Sequence, residues 1–262
     1  MTDQLAARHA FACQIVREAG AAALAFFEAR DTLAIESKAT PQDVVSRADR
    51  EVEALVRARI AAHFPDDGII GEEDVPKPGS SGSTWVIDPI DGTMPFLSGL
   101  PHWCVAIALV EGNRTVAAAT FAPVSDELFD ARLGAGFRCN GAPRVVSTTL
   151  ELTGAMTAIG ASHRTPVETV SGTLSRLMEA GGIFYRNGSG AMMLAEVAAG
   201  RLAGYFEPHM NAWDCLGGLL MVEEAGGCIE AVAMDAMLSE GGRVLAGAPR
   251  VYVPLARLCS MN

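Results

Sequence analysis

Three strand-like segments follow one another in the middle of the chain: Trp103–Glu111, Thr115–Pro123 and Glu127–Ala131. The pairs Gly112-Asn113 and Ser125-Asp126 separate them, and such residues favour turns. Asn140-Gly141 is a strong hairpin signal and lies between two further strand segments, Gly136–Cys139 and Arg144–Ser147. The order predicts an antiparallel meander, and any fold for this chain must accommodate that sheet.

Helices and strands alternate in the second half of the sequence. The strands are predicted at Ala155–Gly160, Ile183–Arg186 and Leu202–Phe206. The helices are predicted at Pro166–Ala180, from Gly188-Ser189-Gly190 to Ala199, and at Asn211–Ala225. This alternation is typical of an α/β layer.

The first part of the chain adds two helices and two short strands: Asp3–Arg30, Pro41–His63, Ile69–Gly71 and Trp85–Asp88. The helices are assigned from apolar residues spaced three or four apart. The second strand is predicted to stop at Pro89. We expect Thr93 to cap a short helix after it, with Gly92 giving the backbone room.

Composition narrows the class of protein. Half of the 262 residues are hydrophobic and 19% are charged, which suffices for a sizeable core and is unlike a disordered chain. The most apolar stretches, such as Val105–Val110, are about strand length, so we expect no membrane span. The N-terminus has no basic region before an apolar run, so we expect no secretory signal and a cytoplasmic location.

Charge and cysteine usage exclude further classes. The formal net charge is −11 and the chain has no Lys/Arg-rich run, which argues against direct nucleic-acid binding. An anionic substrate is still compatible with this charge, because a bound cation can invert the local field of a carboxylate cluster. The six cysteines are scattered without a C-x-x-C pair, so we expect free, mostly buried thiols rather than zinc ligands or disulfides.

Four carboxylates share a placement at a strand end or a helix start, close to Gly or Pro: Glu72, Asp88, Asp91 and Asp214. Asp88 and Asp91 are three residues apart across a Pro-containing turn, so both can point at one centre, and the Ile90 carbonyl adds another oxygen. Hard divalent cations prefer such all-oxygen sites, and Mg²⁺ takes carboxylates, water and substrate phosphate. The backbone amides of Gly92 and Thr93, at a helix start, would offer donors to a phosphate.

Each of these acidic residues also has a structural explanation when it is taken alone. Asp before Pro or Gly is common in turns, and Glu72 begins an acidic stretch that is typical of a solvated loop. Asp214 is an ordinary residue for the start of a helix. Only a larger pattern shows that the four belong together.

That pattern consists of eight segments: Asp43–Asp49, Gly71–Glu73, Trp85–Thr93, Gly136–Gly141, Ser162–Pro166, Gly188–Ala191, Trp213-Asp214 and Glu224–Gly227. In order and spacing they resemble the signatures of the inositol monophosphatase family, including its D-x-V-T-x-x-D, G-x-x-x-N-G and S-x-R-T-P segments. The resemblance covers residues from about 38 to 227.

The resemblance implies an α/β (α+β) fold, a layered αβαβα sandwich of the inositol monophosphatase and fructose-1,6-bisphosphatase type. It implies a homodimer of single phosphatase units over 1–262, each with a metal-site half at about 1–150 and a substrate half at about 151–262. The implied activity is hydrolysis of a phosphomonoester by metal-activated water, with two or three Mg²⁺ ions per site and with lithium inhibition.

The resemblance also assigns roles to single residues. The implied metal ligands are Glu72, Asp88, the Ile90 carbonyl, Asp91, Asp214 and, through water, Asp49. Glu72 and Thr93 are implied to orient and deprotonate the attacking water, and the amides of Gly92 and Thr93 to hold the phosphate. Asp91 is implied to reach the substrate as well. Two further residues, Ser162 and Glu207, match substrate contacts of the family, and Gly190 stands in its substrate wall.

Two departures from the family pattern leave the substrate open. Met94-Pro95 stands where the family usually has Thr-Asn, and Gly190 replaces a common alanine. Both lie near the leaving group, so they bear on the identity of the substrate and leave the hydrolytic machinery intact. The resemblance gives inositol-1-phosphate or a related small polyol phosphate as one expected substrate. Histidinol phosphate, whose cation could pair with Glu207, and 3′-phosphoadenosine 5′-phosphate are alternatives. A hypothesis of another class is a regulatory protein that binds the transcription or RNA machinery, as some bacterial family members do.

Overall fold

Two main β-sheets, with helices between them and on their outer faces, make up the computed structural model, which describes residues 2–30, 35–37, 44–148, 151–162 and 164–260. Asp43 and His163, which belong to two of the sequence motifs, lie outside the described residues. The helices are Thr2–Glu28 (α1), Arg47–His63 (α2), Thr93–Leu97 (α3), Val167–Glu179 (α4), Gly190–Ala198 (α5), Ala212–Glu224 (α6), Met234–Glu240 (α7) and Pro249–Ser260 (α8). The strands are Ile35–Ser37 (β1), Val44–Ser46 (β2), Gly68–Gly71 (β3), Ser83–Asp91 (β4), Cys104–Glu111 (β5), Arg114–Ala122 (β6), Glu127–Arg132 (β7), Phe137–Cys139 (β8), Ala142–Arg144 (β9), Met156–Ile159 (β10), Ile183–Tyr185 (β11), Gly204–Met210 (β12), Cys228–Ile229 (β13) and Gly242–Gly247 (β14).

The larger sheet has seven strands in sequence order, from β3 to β9. Its first pair, β3 and β4, is parallel, and the remaining neighbours are antiparallel. The predicted meander is therefore confirmed. The smaller sheet has the order β11-β10-β12-β14-β13, and its strands β10, β11 and β12 are parallel. This parallel part is the α/β layer that the alternation predicted.

The helices and sheets stack in five layers. One face of the seven-stranded sheet is covered by α1 and α2, whose buried apolar residues pack with Trp85 and Ile107. The other face packs against α5 and α6, which also contact Tyr205 and Val244 of the five-stranded sheet. The outer face of that second sheet is covered by α4 and α8. The order is αβαβα, as the family resemblance implied.

Two predicted boundaries were wrong for local reasons. The helix predicted from Pro41 begins at Arg47, because Val44–Ser46 forms a strand paired with Ile35–Ser37. The second arm of the predicted hairpin begins at Ala142 and not at Arg144. Asn140 and Gly141 both have positive φ, at 49° and 75°, which is the geometry of a two-residue hairpin turn that lets the next residue pair at once.

Over Gln4–Glu28, helix α1 is long and apolar enough to cross a membrane, judged by length and composition alone. No other helix in the described part of the chain meets this criterion. The expectation that no stretch resembles a span was therefore wrong on that criterion. A long helix of a protein core passes the same test. The face of α1 that carries Val16, Ala19 and Ala23 is buried against the seven-stranded sheet.

Glu196 of α5 is a largely buried carboxyl whose Oε2 atom has no hydrogen-bond partner. Burial, partly offset by the charge of Arg201, raises its pKa to about 7. Because the pKa of Glu196 is higher in the folded than in the unfolded state, protonation of this carboxyl stabilises the folded state. This contribution is complete below the unfolded pKa of about 4.5 and is lost as the pH rises through about 7.

We therefore expect Glu196→Gln, which keeps the neutral shape, to raise the free energy of unfolding by about 2 kcal/mol near pH 8 and by little near pH 5. Urea unfolding over this pH range, without added Mg²⁺, measures the difference. Glu240→Gln, at an exposed position of α7, is the matched control. A difference between Glu196→Gln and the unsubstituted chain that does not change with pH would contradict the assignment.

Candidate metal centre

Strand β4 carries two of the predicted carboxylates, and its register against β5 explains how both face one centre. Asp88 pairs with Ala106 and Asp91 pairs with Cys104, so three steps along β4 oppose two steps along β5. The extra residue forms a β-bulge between Asp88 and Asp91, a segment in which Pro89 has no N–H to donate to the ladder. Residues three apart on a regular strand point to opposite faces, and the bulge removes that difference. The strand therefore continues to Asp91, whereas the sequence predicted an end at Pro89.

Asp88, Asp91 and Asp214 form a close group in which carboxylate oxygens lie within 4.8 Å of one another. The side chains from β4 are buried, with Asp88 1% and Asp91 8% exposed. Asp214 lies in the first turn of α6, where its Oδ2 accepts the backbone N–H of Asn211 at 3.1 Å. Two carboxylates of the seven-stranded sheet thus meet a third from a helix between the sheets.

Asp91 is fixed by the first turn of α5. Its Oδ2 accepts the hydroxyl of Ser189 at 2.6 Å and the N–H of Ala191 at 2.6 Å, and its Oδ1 accepts the N–H of Gly190 at 3.3 Å. Ser189 is also the N-cap of α5 and accepts the N–H of Met192. Sequence analysis did not assign Ser189 to the site. The available sequence signal was its position in the Gly188-Ser189-Gly190 helix start, where a serine caps the helix.

Burial and mutual repulsion favour the protonated forms of these carboxyls. Burial raises the pKa of Asp88 well above its ordinary range, and the charges of Glu72, Asp91 and Asp214 raise it further. Burial, followed by the charge of Asp91, raises the pKa of Asp214 to about 7. A divalent cation would offset this repulsion, and carboxylate and carbonyl oxygens are the donors that Mg²⁺ accepts. The donor set therefore fits a hard divalent cation.

The turn after β4 places Thr93 beside the carboxylates. The Thr93 hydroxyl lies 3.3 Å from Asp49 Oδ1 on α2 and 3.2 Å from the Ile90 carbonyl oxygen. Gly92 is the N-cap of α3, so the predicted capping role of Thr93 was wrong. Gly92 has a φ of +96°, and a Cβ there would lie 2.7 Å from the His102 carbonyl oxygen. Only glycine fits this close turn.

Glu72 follows β3 and lines the cavity in front of the carboxylates without belonging to the close group. The loop after it is held by buried Glu53, which accepts the N–H of Glu73 at 2.8 Å. A Cβ at Gly71 would overlap the Glu53 carboxylate, so the glycine permits this contact. Sequence analysis missed Glu53. Its i,i+4 spacing to Arg57, with which it forms a salt bridge of 2.7 Å, indicates a paired carboxylate but no role at a site.

Two adjoining cavities hold most of the remaining predicted residues. The larger has a volume of about 780 Å³ and is lined in part by Glu72, Gly92, Thr93, Ser162 and Asp214. The smaller has a volume of about 140 Å³ and is lined in part by Asp91, Gly190, Glu207 and Asp214. The structure thus brings the predicted metal ligands and the predicted substrate contacts to one place.

Comparison with known proteins identifies this arrangement. A sequence profile described as the inositol monophosphatase family matches residues 4–259. The chain belongs to the inositol monophosphatase family. The resemblance inferred from the motifs is confirmed.

Individual members of the inositol monophosphatase family carry two kinds of name. An inositol-1-monophosphatase from Rhizobium meliloti (strain 1021) is 38% identical over 191 residues, which is 71% of each chain. Nus factor SuhB from Escherichia coli (strain K12) is 35% identical over 243 residues, covering 92% of this chain and 91% of the relative. The crystal structure of extragenic suppressor protein suhB from Bartonella henselae aligns with a TM-score of 0.88 at 31% identity, covering 95% of this chain and 96% of that one.

Glu207 and Gly190 show how this family member shapes the smaller cavity. Glu207 is 8% exposed and accepts the hydroxyl of Tyr205, and burial raises its pKa to about 7. A Cβ at Gly160 would overlap the Glu207 carboxylate. A Cβ at Gly190 would overlap the methyl group of Met210, so a larger residue there would require this methionine to move.

A second group of metal-type side chains lies on the opposite face of the seven-stranded sheet. His9 and Cys13 of α1 meet Asp130 of β7, with His9 Nε2 at 3.1 Å from Asp130 Oδ1. Burial raises the pKa of Cys13 to about 12, so its thiol is protonated at neutral pH and the contact is a histidine–aspartate pair. All six cysteines are free, as the sequence predicted.

Proposed function

We propose that the chain is a Mg²⁺-dependent phosphomonoester hydrolase that acts on a small polyol phosphate such as inositol-1-phosphate. The observation that carries this proposal is the buried group of Asp88, Asp91 and Asp214 beside a cavity of about 780 Å³. One divalent cation would both neutralise these carboxylates and bind a phosphate group. Membership of the inositol monophosphatase family supports the reaction class.

The residues that would hold Mg²⁺ are Asp88, Asp91 and Asp214, with Glu72, the Ile90 carbonyl and Asp49 as further proposed ligands. When bound, the ion would supply Lewis-acid polarisation of the phosphoryl group and of the attacking water.

The remaining steps are proposed for side chains and amides around the carboxylates. Thr93, whose hydroxyl lies between Asp49 and the Ile90 carbonyl, orients the water, and Glu72 takes its proton. The amides of Gly92 and Thr93 bind the phosphate oxygens. At the other end of the substrate, Ser162 and Glu207 contact the leaving alcohol. Gly190 is proposed to form part of the wall beside that alcohol, where the methyl group of Met210 fills the space that a side chain would take.

Phosphate release from the purified chain tests the proposal. With saturating inositol-1-phosphate, release should require Mg²⁺, stop when the ion is chelated and fall on addition of lithium. Histidinol phosphate and 3′-phosphoadenosine 5′-phosphate, compared by kcat/KM, distinguish the alternative substrates. Absence of release from all three compounds in the presence of Mg²⁺ would refute the hydrolase proposal.

A second candidate function is a regulatory protein that binds the transcription or RNA machinery. It is favoured by the 35% identity to a relative named Nus factor SuhB, over 92% of this chain. A stable partner that is retained by both the unsubstituted chain and Asp88→Asn would support this function and would place the interaction outside the metal site. Direct nucleic-acid binding is still not expected, and that prediction rests on the net charge of −11.

A homodimer and a cytoplasmic location are also proposed, both on the family resemblance. Neither is required for the carboxylate group, whose three members all come from one chain.

A further inference from the structure

The group of His9, Cys13 and Asp130, on the face of the seven-stranded sheet that α1 covers, takes no part in the proposed hydrolysis. His9 and Cys13 are four residues apart on α1, a spacing that puts both side chains on one face of the helix. That face meets β7, where Asp130 is 5% exposed. Ligand atoms of the three side chains lie within 4.8 Å of one another, so an imidazole, a thiol and a carboxylate share one small space.

His9 Nε2 is the atom that contacts both of the other side chains. It lies 3.7 Å from Cys13 Sγ and 3.1 Å from Asp130 Oδ1. Zn²⁺ binds nitrogen and carboxylate oxygen at about 2.1 Å and thiolate sulfur at about 2.3 Å, in a tetrahedron. In such a tetrahedron the nitrogen–sulfur separation is about 3.6 Å and the nitrogen–oxygen separation about 3.4 Å. The observed distances are close to both, so small side-chain movements would bring the three atoms to one ion.

The charges around the group suit a dication. A thiolate and a carboxylate balance the two charges of Zn²⁺, and a neutral imidazole adds none. The Arg138 guanidinium lies 4.0 Å from Asp130 Oδ1, where it supports the carboxylate from outside as partners of metal ligands do. The other cation beside the thiol, Arg17, is paired with Asp126 at 3.4 Å.

Ligand chemistry separates this group from the carboxylate centre. Imidazole and thiolate are donors that Zn²⁺ prefers, whereas Mg²⁺ prefers oxygen. The side chain of His9 is 13% exposed and Cys13 is partly buried, so an ion has a path from solvent and water has room as a fourth ligand. Without a metal the thiol is protonated, because burial raises the pKa of Cys13 to about 12. Coordination displaces this proton, as metal binding to thiols does.

We propose that His9, Cys13 and Asp130 form a zinc site that joins α1 to the seven-stranded sheet. Cys13 Sγ, His9 Nε2 and Asp130 Oδ1 are its protein ligands, and binding releases the thiol proton to solvent. The ion fastens the outer helix to the sheet and is independent of phosphate hydrolysis. The lack of a C-x-x-C pair, from which no zinc ligand was expected among the cysteines, does not bear on a site with one cysteine.

Titration of the purified chain with Co²⁺, in a thiol-free buffer, tests the site. Saturating Mg²⁺ is present throughout to occupy the carboxylate centre. Cobalt bound to a thiolate gives a charge-transfer absorption band that oxygen ligands do not give. The band should reach full intensity at one Co²⁺ per chain and disappear when Zn²⁺ is added, since the same ligands bind Zn²⁺ more tightly.

Three variants assign the band to this site. Cys13→Ser should abolish it, and His9→Gln should weaken Zn²⁺ binding by at least about 10-fold, measured by competition with a chromophoric chelator. Cys259→Ser is the matched control, because Cys259 is a partly buried thiol of α8 whose pKa burial also raises to about 12. This control should keep both the band and the Zn²⁺ affinity.

Absence of the band in the unsubstituted chain overturns the zinc site. So does a band that persists in Cys13→Ser or is lost in Cys259→Ser. Circular dichroism establishes whether each variant is folded. If Cys13→Ser does not fold, His9→Gln decides: a weakened Zn²⁺ affinity supports the site, and an unchanged affinity overturns it.

Discussion

Asp88→Asn is expected to lower kcat/KM for phosphate release by at least about 10³-fold. The amide keeps the volume of the carboxylate and the hydrogen bond that Asp88 Oδ1 accepts from the Ile90 N–H at 3.0 Å. It removes the negative charge that a divalent cation needs from the most buried member of the group. Steady-state phosphate release at several Mg²⁺ concentrations measures the loss.

The same variant separates catalysis from folding. Without Mg²⁺ its melting temperature should equal or exceed that of the unsubstituted chain, because one of three repelling carboxyls has become neutral. With Mg²⁺ only the unsubstituted chain should gain stability, since binding to the folded state raises the free energy of unfolding by mass action. Asp126→Asn, at an exposed turn with positive φ that asparagine tolerates, is the control. Full activity in Asp88→Asn would remove this residue from the proposed centre.

Gly92→Ala is expected to lower the free energy of unfolding by about 2–3 kcal/mol and kcat/KM by about 10²-fold. The φ of +96° is unfavourable for alanine, and its Cβ would lie 2.7 Å from the His102 carbonyl oxygen and 3.2 Å from Ser189 Cβ. Relief of either contact moves the turn that positions Thr93 or the serine that holds Asp91. Denaturant unfolding and phosphate release, measured on the same preparations, give both quantities.

Gly112→Ala separates backbone strain from steric overlap. Gly112 lies in the turn between β5 and β6 with a φ of +57°, and a Cβ there would meet nothing within 4 Å. It should cost about 1 kcal/mol and leave activity unchanged. If the two alanine variants lose stability and activity equally, the close approach at Gly92 has no special role.

Local sequence signals predicted much of this fold because the contacts they describe are local. Asn140-Gly141 specified a hairpin, and the apolar spacing over the first thirty residues specified α1. The bulge between Asp88 and Asp91 could not be predicted in this way. Proline indicates a break in a ladder, but only the register of β4 against β5 shows that the strand resumes and reaches Asp91.

At the candidate site too, some residues could be predicted from the sequence and others could not. Its carboxylates could be predicted because their order and spacing match the motifs of a family whose members share the same long-range contacts. Ser189 is separated from Asp91 by 98 positions and has no acidic or metal-binding chemistry of its own, so only the structure shows the contact. Sequence analysis made no prediction for α7, α8, β13 and β14. Strand β14 pairs with β12 and β13 in the second sheet, a pairing that depends on distant partners.

Within the carboxylate group, Asp214 lies far from Asp88 and Asp91 along one chain, and this separation has a consequence for biosynthesis. Asp88 and Asp91 leave the ribosome with the seven-stranded sheet, but Asp91 lacks its support from α5 and the group lacks Asp214 of α6 until much later. A nascent chain therefore cannot assemble this group before most of its residues have been translated. Capture of a cation by all three carboxylates would then require a nearly complete polypeptide.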